Sequence, residues 1–417
     1  MIETTASRFH YDPFSPEAMR DPHSFYPVLR DDHPAYYIPQ YDTWVFSRFQ
    51  DVWDGFMDAK HFSEAEGQVF SRATLLAHHR GNPPEPKINP EKAMFLWLDP
   101  PVHTRFRQAL GTPFLKGNVN RLEPAIRTLA RKRLAELLTR GEFDLNNDYA
   151  SYVAVRVSID QMGLEIADPE QLIALFGRVV ARDPGVASMT ADGFKARDTA
   201  LDLLCGEVRR RRAGKGRPSP FLDPLIEQDL IGRPLTDMEI AVDTLSMLAG
   251  GTESVPKVVT GGLLELQHRP DQLAAIKADL ARHAPIAWEE MLRYNAPAQW
   301  FGRTVKQPVT LGGIGLEPGQ RVILLIASAN RDPREFDAPD EFRWNRKPRR
   351  MLSFGVGPHF CIGIHLARLE GAILIEEFLA AVKRYELLPA QGSFAESEFQ
   401  IGWTCLPVRT IMQGGKA

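Results

Sequence analysis

Phe354-Gly355-Val356-Gly357-Pro358-His359-Phe360-Cys361-Ile362-Gly363 is the stretch that decides how this chain reads. Three glycines and a proline in ten residues prescribe a tight loop. Behind it, Ile364, Leu366, Leu369, Ile373, Phe378 and Leu379 recur at helical spacing, which predicts one long helix over Ile362 to Arg384. A cysteine at the lip of a helix feels the partial positive charge of the helix start and lies within reach of free backbone N–H groups. Both effects favour thiolate over thiol. Gly355, Gly357 and Gly363 let the backbone come close to a flat ligand.

Phe, Gly, Cys and Gly at these offsets arise by chance on the order of once in a thousand chains of average composition. The stretch resembles the haem-binding signature of the cytochrome P-450 family, with Phe354, Gly357, Cys361 and Gly363 at the signature positions. The resemblance covers nearly the whole chain, because further family motifs occur in the expected order. It implies a mainly α fold with a minor β part. Haem b would lie between a long distal helix and the cysteine-loop helix, with Cys361 as the axial iron ligand. Phe354, Gly355 and Gly363 would touch the cofactor. A thiolate ligand pushes electron density into haem iron and favours O–O cleavage.

Four shorter motifs support the resemblance. Glu290 and Arg293, three apart, share a helix face and can pair. By resemblance they are the family's structural ion pair, which recruits a later arginine. Glu341 stands where that arginine is expected, so Arg343 and Arg346 are the alternatives. His103 and Arg107, four apart, can clamp a carboxylate. The resemblance makes them propionate partners, together with Arg303 and His359. Ala329-Asn330-Arg331-Asp332-Pro333 is similar to a stretch common in bacterial members and reads as a structural turn.

Thr236 followed by Glu239 forms a capping box that opens a long apolar helix running to about His268. Inside it lies Leu248-Ala249-Gly250-Gly251-Thr252-Glu253-Ser254-Val255-Pro256. Each glycine costs a helix about 1 kcal/mol, and Pro256 removes the normal donor to the Thr252 carbonyl. Such clustering predicts a kink or widened groove. The segment is similar to the family's oxygen groove, which makes Glu253 and Ser254 the acid–alcohol pair that delivers protons during dioxygen activation. Serine in place of the usual threonine keeps the hydroxyl with a less fixed rotamer. Leu248, Ala249, Gly250, Ala298, Gln299 and Ile401 are expected to line the substrate pocket, with Gln299 offering an orienting hydrogen bond. The segments Gly67 to Trp97 and Pro184 to Phe194 are expected to form its lid, and the former contains a proline-rich loop at Gly81 to Pro90.

The bulk properties agree. With 50 basic and 53 acidic side chains the net charge is -3, which argues against a nucleic-acid binder. Three cysteines make no disulfide framework and fit a reducing compartment. Met1 to Pro16 lacks the apolar core of a signal peptide. No apolar run approaches bilayer length, and Val322 to Ala327 fits a buried strand. The expectation is a single cytoplasmic domain over residues 1–417 with no membrane anchor, richer in strand over about 1–100 and helical thereafter. Arg209 to Arg212 read as a solvated helix C-terminus.

Taken together, the resemblance implies a monooxygenase that hydroxylates a small hydrophobic terpenoid, steroid or aromatic with dioxygen and two electrons. The chain has no Gly-x-Gly-x-x-Gly fingerprint and no cluster-binding cysteine set. A ferredoxin with an NAD(P)H-dependent reductase is therefore the expected donor, docking on Arg105, Arg349 and Arg350. A peroxide-driven oxygenase or a desaturase on the same fold, and a non-catalytic haem protein, are the alternatives.

Overall fold

The computed structural model describes residues 9–77 and 95–412. The expected loop at 81–90 and most of the first lid segment lie outside the described residues. The central element is the helix Asp237–Gln267. Its capping box forms: Thr236 Oγ1 accepts from the Glu239 N–H at 3.2 Å, and the Glu239 carboxylate accepts from the Thr236 N–H at 2.7 Å. The second half of the helix is enclosed, with Val258, Val259, Leu263 and Leu266 fully buried. The helices Tyr152–Met162, Ala191–Arg212, Leu280–Tyr294 and Ile364–Ala381 pack around it.

The helix runs through Pro256 without interruption. The two glycines in its weak segment do different things. A Cβ at Gly251 would stand 2.9 Å from Ser158 Oγ, so glycine there lets two helices close on each other. A Cβ at Gly250 would meet nothing within 4 Å, so that side faces open space.

A five-stranded sheet packs beside the helices in the order Ala35–Ile38, Thr43–Phe46, Arg321–Leu324, Phe301–Val305, Phe62–Ser63. Its central strand Arg321–Leu324 is buried throughout and runs parallel to Thr43–Phe46, while the other pairings are antiparallel. The apolar run at 322–327 is thus not all strand, since Ile326–Ala329 turns into a short helix. The Gly312-Gly313 turn joins the small hairpin Val309–Leu311 and Ile314–Leu316.

The helix behind the cysteine loop is shorter than its periodicity predicts. It spans Ile364–Ala381, and the chain then enters the strand Val382–Leu387, which pairs with Pro407–Met412. Val382 lies four residues beyond Phe378 and so extends the helical spacing, and strand pairing overrides it. Arg210, Arg211 and Arg212 are not merely solvated. They pair with Glu165 and Glu207, with Asp223, and with Asp237 respectively.

Candidate active site

Cys361 precedes the helix Ile364–Ala381 by three residues rather than opening it. Its N–H closes the loop on the Phe354 carbonyl at 2.8 Å. Gly357 is required where it stands, because its φ is +77° and a Cβ would fall 2.5 Å from the Phe56 carbonyl oxygen. The Gly363 N–H, Arg107 and Arg368 all pull the thiol toward ionisation, but burial outweighs them and raises its pKa. Residues 353–365 are half-buried almost throughout, so the loop presents a partly open face inside the molecule. Phe354 carries the Arg368 guanidinium 5.1 Å above its ring, and Arg368 is itself paired with Glu289.

The basic and imidazole residues expected around the cofactor come together. The His103 and His359 rings stack with centroids 3.7 Å apart, and Phe95 stacks on the other side of His103 at 5.0 Å. Burial first, then His359 and Arg107, push the His103 imidazole down to about 3. It is thus a neutral donor at ordinary pH. His103 Nε2 is buried and has no hydrogen-bond partner among the described residues. Arg107 lies 4.1 Å above the Phe360 ring and interacts with Cys361, and it has no carboxylate partner among the described residues. Arg303 and His359 are not free. Both pair with Glu64, and Gln68 Nε2 lies 3.1 Å from His359 Nδ1.

On the central helix, Ser246, Met247, Glu253 and Ser254 are partly accessible and Gly250 is exposed. Their spacing of three and four places them on one face. The Ser254 hydroxyl donates to the Gly250 carbonyl at 2.7 Å. Glu253 pairs with Lys257, Nζ to Oε2 at 2.7 Å. Two expected pocket residues are placed otherwise. Leu248 is fully enclosed in the main core. Gln299 accepts from the Tyr26 hydroxyl at 3.0 Å and donates to the Ser397 carbonyl at 2.6 Å, so its amide ties the helix Tyr26–Asp31 to the C-terminal turn and is spent on structure. Ala249 and Ala298 are half-buried, while Ile401 is buried with its N–H on the Pro297 carbonyl.

Glu290 and Arg293 form a two-bond pair, 2.7 and 2.8 Å, with neither side chain exposed. Arg346 supplies the third member, donating to Glu290 Oε1 at 3.0 Å. Arg343 gives Glu290 only its backbone N–H and directs its guanidinium to Glu341 and Asp337. Arg293 also donates to the Asn330 carbonyl at 2.8 Å. The Asn330 side chain then accepts from the Leu352 N–H at 2.8 Å and donates to Ser353 Oγ at 2.8 Å. The buried pair is therefore tied directly to the start of the cysteine loop.

The residues present fit a haem. A cysteine meets an inward backbone N–H, and an imidazole nitrogen and a guanidinium without carboxylate partners among the described residues face the same cluster. Sequence reasoning missed Glu64, Gln68 and Lys257, which reach the site from distant segments or, for Lys257, carry no motif; it read Asn330 as part of a structural turn without its link to the cysteine loop.

Comparison with known proteins agrees with this geometry. The family model described as Cytochrome P450 matches residues 283–403. The chain is 32% identical over 380 residues to the putative cytochrome P450 123 of Mycobacterium tuberculosis, covering 90% of each chain. It is 30% identical to the beta-dihydromenaquinone-9 omega-hydroxylase of the same species, over 91% of this chain and 74% of that one. Among solved structures, cytochrome P450 CYP109Q5 from Chondromyces apiculatus superposes with a TM-score of 0.80 at 26% identity, over 97% of this chain and 99% of that one. A mutant of P450 EryK in complex with erythromycin B gives 0.82 at 26% identity, over 97% and 100%. Motif order, site geometry and similarity along the whole chain converge, and the chain belongs to the cytochrome P450 family of haem-dependent monooxygenases.

Proposed function

We propose that this chain is a haem-thiolate monooxygenase that binds haem b through Cys361 and hydroxylates a small hydrophobic molecule, a terpenoid, steroid or aromatic. When bound, the cofactor supplies reductive activation of dioxygen, in which two electrons and two protons are consumed, one oxygen atom enters a C–H bond and the other leaves as water. The carrying observation is one contiguous cluster: Cys361 beside Arg107, with the His103–His359 stack next to it.

Each residue then has a task. The Gly363 N–H holds the sulfur of Cys361. Arg107 and Arg303 offer charge, and His103 and His359 offer N–H donors, to the two propionates. The Ser254 hydroxyl, anchored on Gly250, fixes a water at the open face, and Glu253 relays protons to it. Leu248 and Gln299 shape the walls from behind, while Met247, Ala249, Gly250 and Ala298 leave an apolar surface suited to a hydrophobic substrate. The relatives named above include a beta-dihydromenaquinone-9 omega-hydroxylase, which supports hydroxylation of an organic substrate.

Electrons come from a ferredoxin with its NAD(P)H-dependent reductase. Arg105 and Arg349 are exposed and suit an acidic partner, whereas Arg350 is drawn into a pair with Glu335. Among the described residues no helix is long and apolar enough to cross a membrane. Reconstitution with ferredoxin, reductase and isotopically labelled dioxygen tests the reading. One labelled oxygen atom in the product is expected. Turnover sustained by peroxide alone, with none from reductant and dioxygen, would favour the peroxide-driven alternative instead.

A further inference from the structure

The segment that follows the strand Phe62–Ser63 lays two polar side chains, Gln68 and Glu64, against His359 and a third, Glu66, against the sheet. Gln68 reaches His359 Nδ1, and Glu66 lies 2.7 Å from Arg321 Nη2. Glu64 goes deepest, with one carboxylate oxygen on Arg303 Nη2 and the other on His359 Nε2. All three side chains are nearly closed to solvent, at 6% for Glu64, 4% for Arg303 and 5% for His359.

Fixed backbone delivers this carboxylate. Ser63 stands opposite Thr304 in the sheet, and the next step of that register sets Glu64 opposite Arg303. Asp99 accepts from the Glu64 N–H at 3.0 Å and from the Ser63 hydroxyl at 2.6 Å. The Gly67 N–H closes on the Glu64 carbonyl at 2.8 Å. A buried carboxylate is costly unless donors match it; Glu64 is charge-paired with Arg303 on one oxygen, while its other oxygen abuts His359 Nε2 without completing a hydrogen bond.

Arg303 and His359 are also two of the four donors assigned above to the propionates. Two propionates and Glu64 cannot all be served by this set, because like charges in a low-dielectric site oppose one another strongly. A cavity of about 10 Å³, roughly one water molecule, adjoins the carboxylate beside Phe56, Ala59 and Pro358, so close packing does not lock the side chain on every side.

We propose that Glu64 is a built-in surrogate for a cofactor carboxylate: it occupies Arg303 and His359 as the chain folds and yields them to a propionate when haem is loaded. The proposal rests on the haem reading above. Loading is an exchange of one carboxylate for another, and haem affinity is lowered by the displacement of Glu64. A residue that merely supported the pocket would strengthen haem binding.

The test compares the haem-loaded protein with its Glu64→Gln variant. Two quantities are read: the rate of haem transfer to excess apomyoglobin, and the melting temperature of the cofactor-free chain. Haem loss is expected to slow by about tenfold in the variant, the scale of one charge-assisted contact. The cofactor-free variant should melt lower, because Arg303 loses its buried counter-charge. With protoporphyrin dimethyl ester as the ligand, the difference in transfer rate should vanish. Equal or faster haem loss from the variant would overturn the proposal.

Should the variant not fold, the parent protein decides. Carbodiimide with glycine ethyl ester, read by mass spectrometry, should label Glu64 severalfold more after haem loading than before, and equal protection in both forms would contradict the exchange. Failure of the haem reading looks different: no haem would bind, there would be no transfer to measure, and the proposal would fall with it.

Discussion

Lys257 Nζ lies 2.7 Å from Glu253 Oε2 and 3.2 Å from the Glu253 carbonyl oxygen, one turn further along the central helix. The lysine stem is held beneath the C-terminal turn, where a Cβ at Gly402 would come within 2.9 Å of Lys257 Cβ. The ammonium is therefore a fixed neighbour of the acid proposed to relay protons. Lys257→Met should leave haem content and the reduced carbon monoxide spectrum intact while lowering product formed per reductant consumed about two- to fivefold. Lys257→Arg should recover part of the loss. Unchanged coupling in Lys257→Met would show that the pair only supports the helix.

Ser254 is tested separately. Its hydroxyl is anchored on the Gly250 carbonyl, so Ser254→Ala removes the hydroxyl proposed to hold a water. Reductant consumption should continue while product falls about tenfold or more, with the electrons recovered as peroxide. Ser254→Thr adds a methyl that restricts the rotamer and should raise coupling above the parent. If Ser254→Ala retained full coupling, the hydroxyl would have no part in proton delivery.

The Glu290–Arg293–Arg346 network makes a stability prediction. Glu290→Gln leaves two guanidinium groups without their shared counter-charge in a closed site, and should cost about 3–5 kcal/mol. Because Arg293 and Asn330 link this network to Leu352 and Ser353, haem incorporation should fall with it. Arg346→Gln should be destabilising in the same sense. Arg343→Gln should leave the melting curve nearly unchanged, since that guanidinium meets only exposed carboxylates. Equal effects at positions 343 and 346 would contradict the assignment.

Asp243 gives a pH dependence with a definite sign. It is buried in the central helix, where one oxygen accepts from the Phe95 N–H at 2.7 Å and the other has no hydrogen-bond partner among the described residues. Burial raises its carboxyl pKa to about 8. The folded protein therefore holds a proton that the unfolded chain releases near its ordinary value. That contribution is complete below the unfolded pKa and is lost as pH rises through about 8. Asp243→Asn keeps the acceptor and removes the penalty. Its melting temperature should exceed the parent's by a margin that grows from pH 5 to pH 8, reaching roughly 2–5 °C. A margin that stays flat or shrinks with pH would refute this.

The docking surface is tested by ionic strength. Arg105→Glu and Arg349→Glu should slow reduction by an acidic ferredoxin severalfold at low salt, and added salt should narrow the difference. Arg350→Glu should act less through docking, since Arg350 pairs with Glu335 and stacks over Phe49 and Trp53. Reduction rates indifferent to both substitution and salt would remove the patch.

How far the sequence carried depended on distance along the chain. The Cys361 loop, the Thr236–Glu239 cap and the Glu290–Arg293 pair are short-range patterns, and each was legible because its spacing alone brings the groups together. Arg346 was not separable from Arg343, since both follow Glu341 closely and only the fold aims one of them at Glu290. Glu64 reaches His359 across nearly three hundred residues, and no local pattern announces it. Leu248 and Gln299 show a different limit. A motif fixes where a neighbour lies along the chain but not which way its side chain turns, and both turned into structure rather than toward the open face. Val382 ended the last helix because strand pairing outweighed a helical spacing that extends to it.

The central claim is that the Cys361 sulfur ligates haem iron as a thiolate. The direct measurement is the absorption spectrum of the purified, haem-loaded protein after reduction and addition of carbon monoxide, for the parent and for Cys361→His. The parent should show the long-wavelength Soret band of a thiolate-ligated complex, and the variant should bind haem while showing a shorter-wavelength band. Absence of the long-wavelength band in the parent, or its persistence in the variant, would contradict the account.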